Sequence, residues 1–199
     1  MKILLVGASG TLGQAVRTVL EKQHEVVTAS RSSGEYTVDL TDPSSVEVLY
    51  RAVGPVDAVA CTAGAVPFRP FTDLTLDDFR AGVADKLLGQ VELVRRGISA
   101  VAPGGSFTLV TGVLAQDPIR TGAVASTVNG ALESFVRSAA IELPKAQRIN
   151  AVSPTVLTES LSSYGEFFPG FEAVSAERAA LGYVKSIDGA QTGQVYRVG

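Results

Sequence analysis

Three glycines at three-residue spacing stand near the start of the chain, in Val6-Gly7-Ala8-Ser9-Gly10-Thr11-Leu12-Gly13. An apolar, β-branched run from Ile3 to Val6 precedes them. A stretch with Ala15, Val16, Val19 and Leu20 on one helical face follows them. Glycine permits a tight turn and close approach of a ligand to the backbone, and a helix N-terminus presents free N–H groups and a positive dipole end. A bend of this kind, in this strand-turn-helix context, suits a dinucleotide diphosphate. The candidate contacts are Gly7, Ser9, Gly10, Thr11, Leu12 and Gly13. The spacing is G-x-x-G-x-x-G, with Ala8 where G-x-G-x-x-G has its second glycine. An ordinary strand-to-helix turn is the plainer alternative, and three regularly spaced glycines in this setting argue against it.

A second chemical signal lies at the end of the next strand, Thr28-Ala29-Ser30-Arg31-Ser32. A carboxylate there would bond the ribose hydroxyls of NAD, whereas an arginine favours the 2′-phosphate of NADP. Arg31, helped by Ser30 or Ser32, is therefore expected to bind that phosphate, which makes NADP(H) the preferred cofactor over NAD(H). The alternative is a solvated loop arginine. His24 reads as a surface residue. Cys61 reads as a core or cofactor-contacting thiol without a partner for nucleophilic chemistry. No spacing of ligating residues suggests a metal.

The elements that must position these residues follow from patterning. Short apolar runs alternate with longer helical stretches, the signature of βαβ units. Strands are predicted at Ile3 to Val6, Glu25 to Ala29, Tyr36 to Val38, Asp57 to Cys61, Ser106 to Thr111, Ile149 to Val152 and Gln194 to Val198. The loop between the second and third strands is too short for a crossover helix. Helices are predicted from the glycine turn to about Gln23, from Asp42-Pro43 to Gly54, from a Thr75–Asp78 capping box to about Val101, and from Thr121 to about Leu143. The expected fold is a single α/β domain over residues 1–199, a doubly wound Rossmann fold with a mostly parallel sheet and helices on both faces. A 199-residue chain with 46% hydrophobic and 19% charged residues suits one globular core. A net charge of −3 without a basic stripe argues against nucleic acid. One cysteine, no signal-peptide pattern and no membrane-length apolar run point to a cytoplasmic protein.

With these residues in place the sequence resembles the short-chain dehydrogenase/reductase family. The likeness rests on the glycine turn, on Asp39-Leu40, on Cys61-Thr62-Ala63-Gly64, on Ala131-Leu132-Glu133-Ser134-Phe135, and on Arg148-Ile149-Asn150-Ala151-Val152-Ser153-Pro154. It spans nearly the whole chain, which is shorter than usual for that family. The resemblance implies adenine contacts from Asp39-Leu40, further cofactor contacts from Thr62, Ala63 and Gly64, and a nicotinamide carboxamide near Pro154-Thr155. It also implies a catalytic Asn, Ser, Tyr and Lys. Alignment puts Ala125 at the tyrosine, Asn129 at the lysine, Thr111 or Gly112 at the serine, and Lys86 at the asparagine. The chain thus resembles an atypical member lacking the Tyr-x-x-x-Lys pair. Lysine and asparagine are exchanged between two helices, so Lys86 is expected to reach the same site from the opposite side, with Asn129 completing the hydrogen bonding. The alternative is a Lys86 that points to solvent. An alanine cannot transfer a proton. The replacement donor is Lys86, Thr111, Ser126, Tyr164 or a water, and Lys86 has the chemistry because desolvation can depress its pKa.

Thr155 to Phe171 carries Tyr164, Phe167, Phe168 and Phe171, and reads either as a lid over an apolar pocket or as a small satellite core. The small residues of the helix from Thr121, and the family's habit of pairing that helix with the Lys86 helix, imply a homodimer or homotetramer. The expected activity is NADP(H)-dependent interconversion of a carbonyl and an alcohol on a small molecule. A non-catalytic NADP(H)-binding sensor, or a cyclase or isomerase reusing the pocket, are the alternatives.

Overall fold

A computed structural model describes residues 1–199. Its seven strands are β1 Lys2–Val6, β2 Glu25–Ser30, β3 Tyr36–Thr37, β4 Val56–Cys61, β5 Val101–Val110, β6 Arg148–Pro154 and β7 Val195–Val198. All pair in parallel, in the order β3-β2-β1-β4-β5-β6-β7. The chain reverses its direction of travel across the sheet between β1 and β4, so a crevice opens beyond the carboxyl ends of these two strands.

Strand β1 is apolar on both faces because both faces are covered. Leu4 and Val6 enter a core beneath α2 (Pro43–Val53), α4 (Gly89–Gly97) and α5 (Ala123–Glu142). Ile3 and Leu5 enter the opposite core beneath α1 (Thr11–Leu20) and α7 (Ala176–Asp188). Asp42 caps α2 by accepting from Ser44 N at 2.8 Å, with Pro43 in the first helical turn. Between β2 and β3 the chain folds straight back. Glu35 N donates to Thr28 O at 3.0 Å, and the Glu35 carboxylate accepts from Thr28 N at 3.1 Å.

Several boundaries differ from the patterning. α1 stops at Leu20, before Gln23, and α5 begins at Ala123 because Thr121 adopts a left-handed φ of 66°. β5 starts at Val101, five positions before Ser106, and the register against β4 shifts between Val56 and Ala58. The helix expected from Thr75 to Val101 is divided. The capping box is present at α3 (Leu76–Gly82), a π-helical stretch follows over Val83–Leu88, and α4 resumes the α-helical repeat. The segment after Phe171 holds a helix that the sequence reading lacked. Ser175 caps α7 by accepting from Arg178 N at 3.1 Å, and Ala179, Ala180, Tyr183 and Ile187 form its buried stripe.

Helix α7 also corrects the placement of His24. Its side chain is only 10% exposed, and Nε2 lies 3.1 Å from Asp188 Oδ1, joining the end of α1 to the end of α7. In the middle of α7 the fully buried Tyr183 donates to Cys61 O at 2.9 Å, tying the helix to β4. Tyr183→Phe is expected to cost about 1 kcal/mol in urea unfolding, because it removes one buried hydrogen bond without opening a cavity.

Candidate active site

Two adjoining cavities lie beyond the carboxyl ends of the strands. The first, of about 270 Å³, is bordered by Gly7, Ser9 and Gly10 of the glycine turn, by Ser30 and Arg31 after β2, by Val38 and Leu40, by Thr62 to Ala65 after β4, and by Asp85. The turn is fixed from both neighbouring strands. Gly7 N donates to Ala29 O at 2.8 Å, and Thr62 Oγ1 donates to Gly7 O at 3.0 Å. Helix α1 starts at the cavity edge with Gly10 as its cap, no side-chain cap and no acidic residue in its first turn. The N–H groups of Thr11, Leu12 and Gly13 therefore have no intrahelical partner, and nothing offsets the positive dipole end. Such a cradle fits a diphosphate.

The second cavity, of about 320 Å³, shares Gly64 and Ala65 with the first. Lys86, Thr111, Asn129, Pro154 and Thr155 supply its polar lining, while Val66, Phe68, Leu114, Ala125, Val156 and Phe168 make much of it apolar. Tyr164 stands at its edge with its ring 5.9 Å from that of Phe68, and Phe168 meets Phe171 edge-on at 5.4 Å. Lys86 is the one charged residue in this lining.

Lys86 is buried, which excludes the solvent-facing alternative. Its Nζ donates to Thr111 O at 3.3 Å, and burial pulls its pKa from 10.5 down to about 8, opposed by the neighbouring Cys61 and Asp85. Gly64 is what lets its stem pass. With φ at +138°, a Cβ at position 64 would lie 2.5 Å from Lys86 Cγ. Gln90, one turn further on, fixes the helical rod that carries Lys86. Its amide donates to Val110 O at 3.0 Å and accepts from Val110 N at 2.9 Å. From the opposite side α5 brings Asn129, whose buried Oδ1 has no hydrogen-bond partner, and Ala125. Thr155 Oγ1 is likewise buried and unpartnered. No hydrogen bond joins Lys86 to Asn129, but both flank the Thr111–Gly112 corner. Unsatisfied buried oxygens beside a cavity are suited to a ligand's donors.

Of the cofactor contacts expected from sequence, five lie outside both linings, namely Thr11, Leu12, Gly13, Ser32 and Asp39, and so does the candidate proton donor Ser126. The Asp39 carboxylate is turned into its own loop. It accepts from Thr41 N at 2.9 Å and Thr41 Oγ1 at 2.7 Å, and these bonds hold its pKa below the usual carboxylate value. Ser30 Oγ is spent on the Ser33 carbonyl, which leaves Arg31 as the cationic group bordering the cavity at the end of β2. The Cys61 thiol is buried, with its pKa pushed up to about 12 by desolvation, so it is a core group and not a nucleophile. Asp85 borders the first cavity and was missed. A single carboxylate inside a helical pattern carries no signal of its own, and Asp85 lies within the π-helical stretch.

A parallel sheet doubly wound by helices, with a glycine-turn crevice at its switch point, is the architecture of a Rossmann-fold nucleotide-binding protein. Residues 5–193 match the family model described as Enoyl-(Acyl carrier protein) reductase. The chain belongs to the short-chain dehydrogenase/reductase family of oxidoreductases. It is 26% identical to L-xylulose reductase of Mesocricetus auratus, across 94% of this chain and 84% of that one. It is 28% identical to versicolorin reductase stcU of Emericella nidulans, across 88% and 76%. Among solved structures, the protein lin1944 from Listeria innocua is 49% identical and covers both chains in full, with a TM-score of 0.99. A small-chain dehydrogenase in complex with NADPH is 25% identical with a TM-score of 0.88, covering all of this chain and 96% of that one. No helix is long and apolar enough to cross a membrane.

Proposed function

We propose that this protein is an NADP(H)-dependent oxidoreductase that interconverts a carbonyl and an alcohol on a small, largely apolar molecule, with Lys86 in place of the usual tyrosine. The observation that carries this reading is the joined pair of cavities, one a diphosphate cradle and the other an apolar chamber with a single buried ammonium. A nicotinamide dinucleotide bound there supplies or accepts the hydride. The α1 N-terminus and the Gly7–Gly10 turn hold the diphosphate, and Arg31 holds the 2′-phosphate. Thr62, Ala63 and Gly64 border the way from the diphosphate cavity to the chamber, where Pro154 and Thr155 would lie beside the nicotinamide carboxamide. Lys86 Nζ gives a proton to the substrate oxygen in reduction and takes it back in oxidation. Asn129 and Thr111 orient that oxygen, and the aromatic side chains of Phe68, Tyr164 and Phe168 exclude water.

Turnover of NADPH with a panel of apolar ketones and aldehydes tests this reading. Absorbance loss at the nicotinamide band supports it, while tight NADPH binding with no turnover of any carbonyl replaces it with a non-catalytic binding protein. Ala125, buried at the tyrosine's aligned position, is the feature that favours that second outcome. Arg31→Ala is expected to weaken NADPH binding at least tenfold, as loss of a charge-assisted phosphate contact should. NADH binding should change less than twofold, and equal loss for both would remove Arg31 from the phosphate site.

The same reading assigns self-association, as a homodimer or homotetramer, to the face made by α4 and α5. An apolar groove lies between these helices, lined by Val91, Val94, Ile98, Phe135 and Leu143, and Ile141 is exposed on α5.

A further inference from the structure

The π-helical stretch puts two successive side chains of opposite charge on opposite sides of the Gly64–Ala65 divide. Lys86 borders the apolar chamber and Asp85 the diphosphate cavity. In that cavity Asp85 is not a bystander. Its Oδ2 lies 2.8 Å from Arg31 Nη2, and its Oδ1 accepts from Ala65 N at 2.8 Å. The pair crosses from the loop after β2 to the helical rod, so it bridges the two walls of the crevice. Arg31 has no other side-chain partner and its side chain is 64% exposed, whereas Asp85 is 19% exposed and anchored by the Ala65 amide. Asp85 is thus the fixed member and Arg31 the movable one.

We propose that Asp85 is a cofactor-specificity residue: it competes with the 2′-phosphate for Arg31 and so restrains the preference for NADP(H) over NAD(H). The inference rests on the dinucleotide-binding reading above. A single bond from Nη2 to Oδ2 holds Arg31 to Asp85, and a phosphate that pairs with the two Nη groups in fork fashion needs that same donor. A 2′-phosphate that takes Nη2 therefore displaces the Asp85 carboxylate from it. A ribose 2′-hydroxyl does not need this step and can leave the ion pair closed. Because Asp85 keeps the Ala65 amide when Arg31 departs, opening the pair leaves no buried donor unsatisfied.

Asp85→Asn isolates the charge, since the amide oxygen still accepts from Ala65 N. Fluorescence titration with NADPH and with NADH reads the effect. The expected result is NADPH affinity raised about fivefold or more with NADH affinity within twofold, at unchanged thermal stability. In an Arg31→Ala background the same substitution should move NADPH affinity less than twofold, because there is no guanidinium left to release. Unchanged or weaker NADPH binding in Asp85→Asn overturns the proposal, and so does a full gain that persists without Arg31, which would make Asp85 a simple repulsive charge. If the unaltered protein binds neither dinucleotide, the dinucleotide reading has failed instead. Normal binding with no shift in Asp85→Asn sinks the competition alone.

Discussion

Lys86→Met should lower the rate of carbonyl reduction by about a hundredfold or more, the usual contribution of a positioned proton donor. Methionine fills a similar length of the channel beside Gly64 but has no proton to give. The pH dependence separates a proton donor from a merely structural lysine. Burial holds the ammonium's pKa at about 8. Below that pH it is charged and can donate, so kcat/KM for reduction should be flat. Above it the rate should fall tenfold per pH unit, and the variant's residual rate should show no such fall. Stability carries the same signature. Between about 8 and 10.5 the unfolded chain binds a proton at Lys86 that the folded chain does not. The free energy of unfolding of the unaltered protein, measured relative to Lys86→Met, should therefore rise across that interval by at most about 1.4 kcal/mol per unit. Below pH 8 the buried charge costs stability, and the variant should match or exceed the original. If the relative stability is level from pH 7 to 10.5, the ammonium is not desolvated and its role as donor falls with it.

The sequence made the crevice legible because its parts are local. A glycine turn, a buried strand and a capped helix each declare themselves within a few residues, and the parallel order of strands follows from alternation with helices. That Lys86 faces inward was also legible, because it lies on or beside the inward stripe of its helix, and the structure buries it, as it buries Asn129. The π-helical stretch was not. Its extra residue per turn leaves no mark in the apolar periodicity, so nothing singled out Asp85, and its pairing with Arg31, 54 residues away, was invisible. Helix α7 was lost for a different reason. Its buried stripe is mostly Ala179, Ala180 and Tyr183, small or amphipathic residues with weak contrast, although the Ser175 cap was there to be read. Asp39 shows the reverse failure. A dipeptide that looks like a ligand contact spends its carboxylate on the turn that positions Leu40.

Gly13→Ala should disable the protein more thoroughly than any change inside the cavities, although Gly13 borders neither of them. A Cβ at this position would overlap the Gly7 carbonyl oxygen and stand 2.9 Å from Ala8 Cα. Both neighbours are backbone, so no rotamer change can relieve the contact. Helix α1 must instead move away from the strand it follows, drawing Leu12 and Val16 off the core they share with Ile3 and Leu5. Overpacking of this kind costs about 1–3 kcal/mol, or a fall of several degrees in Tm for a chain of this size. The larger loss should be in binding. The amides of Thr11 and Leu12 and the turn at Gly7 act on one diphosphate only while the helix end and the strand end hold their spacing, so dinucleotide affinity should fall at least a hundredfold. Gly130→Ala on α5 is the matching control. A Cβ there meets nothing within 4 Å, and replacing a mid-helix glycine by alanine should stabilise by about 0.5–1 kcal/mol. If Gly13→Ala binds NADPH as well as Gly130→Ala does, the contact between α1 and β1 is not what shapes the cradle, and the diphosphate must be held elsewhere.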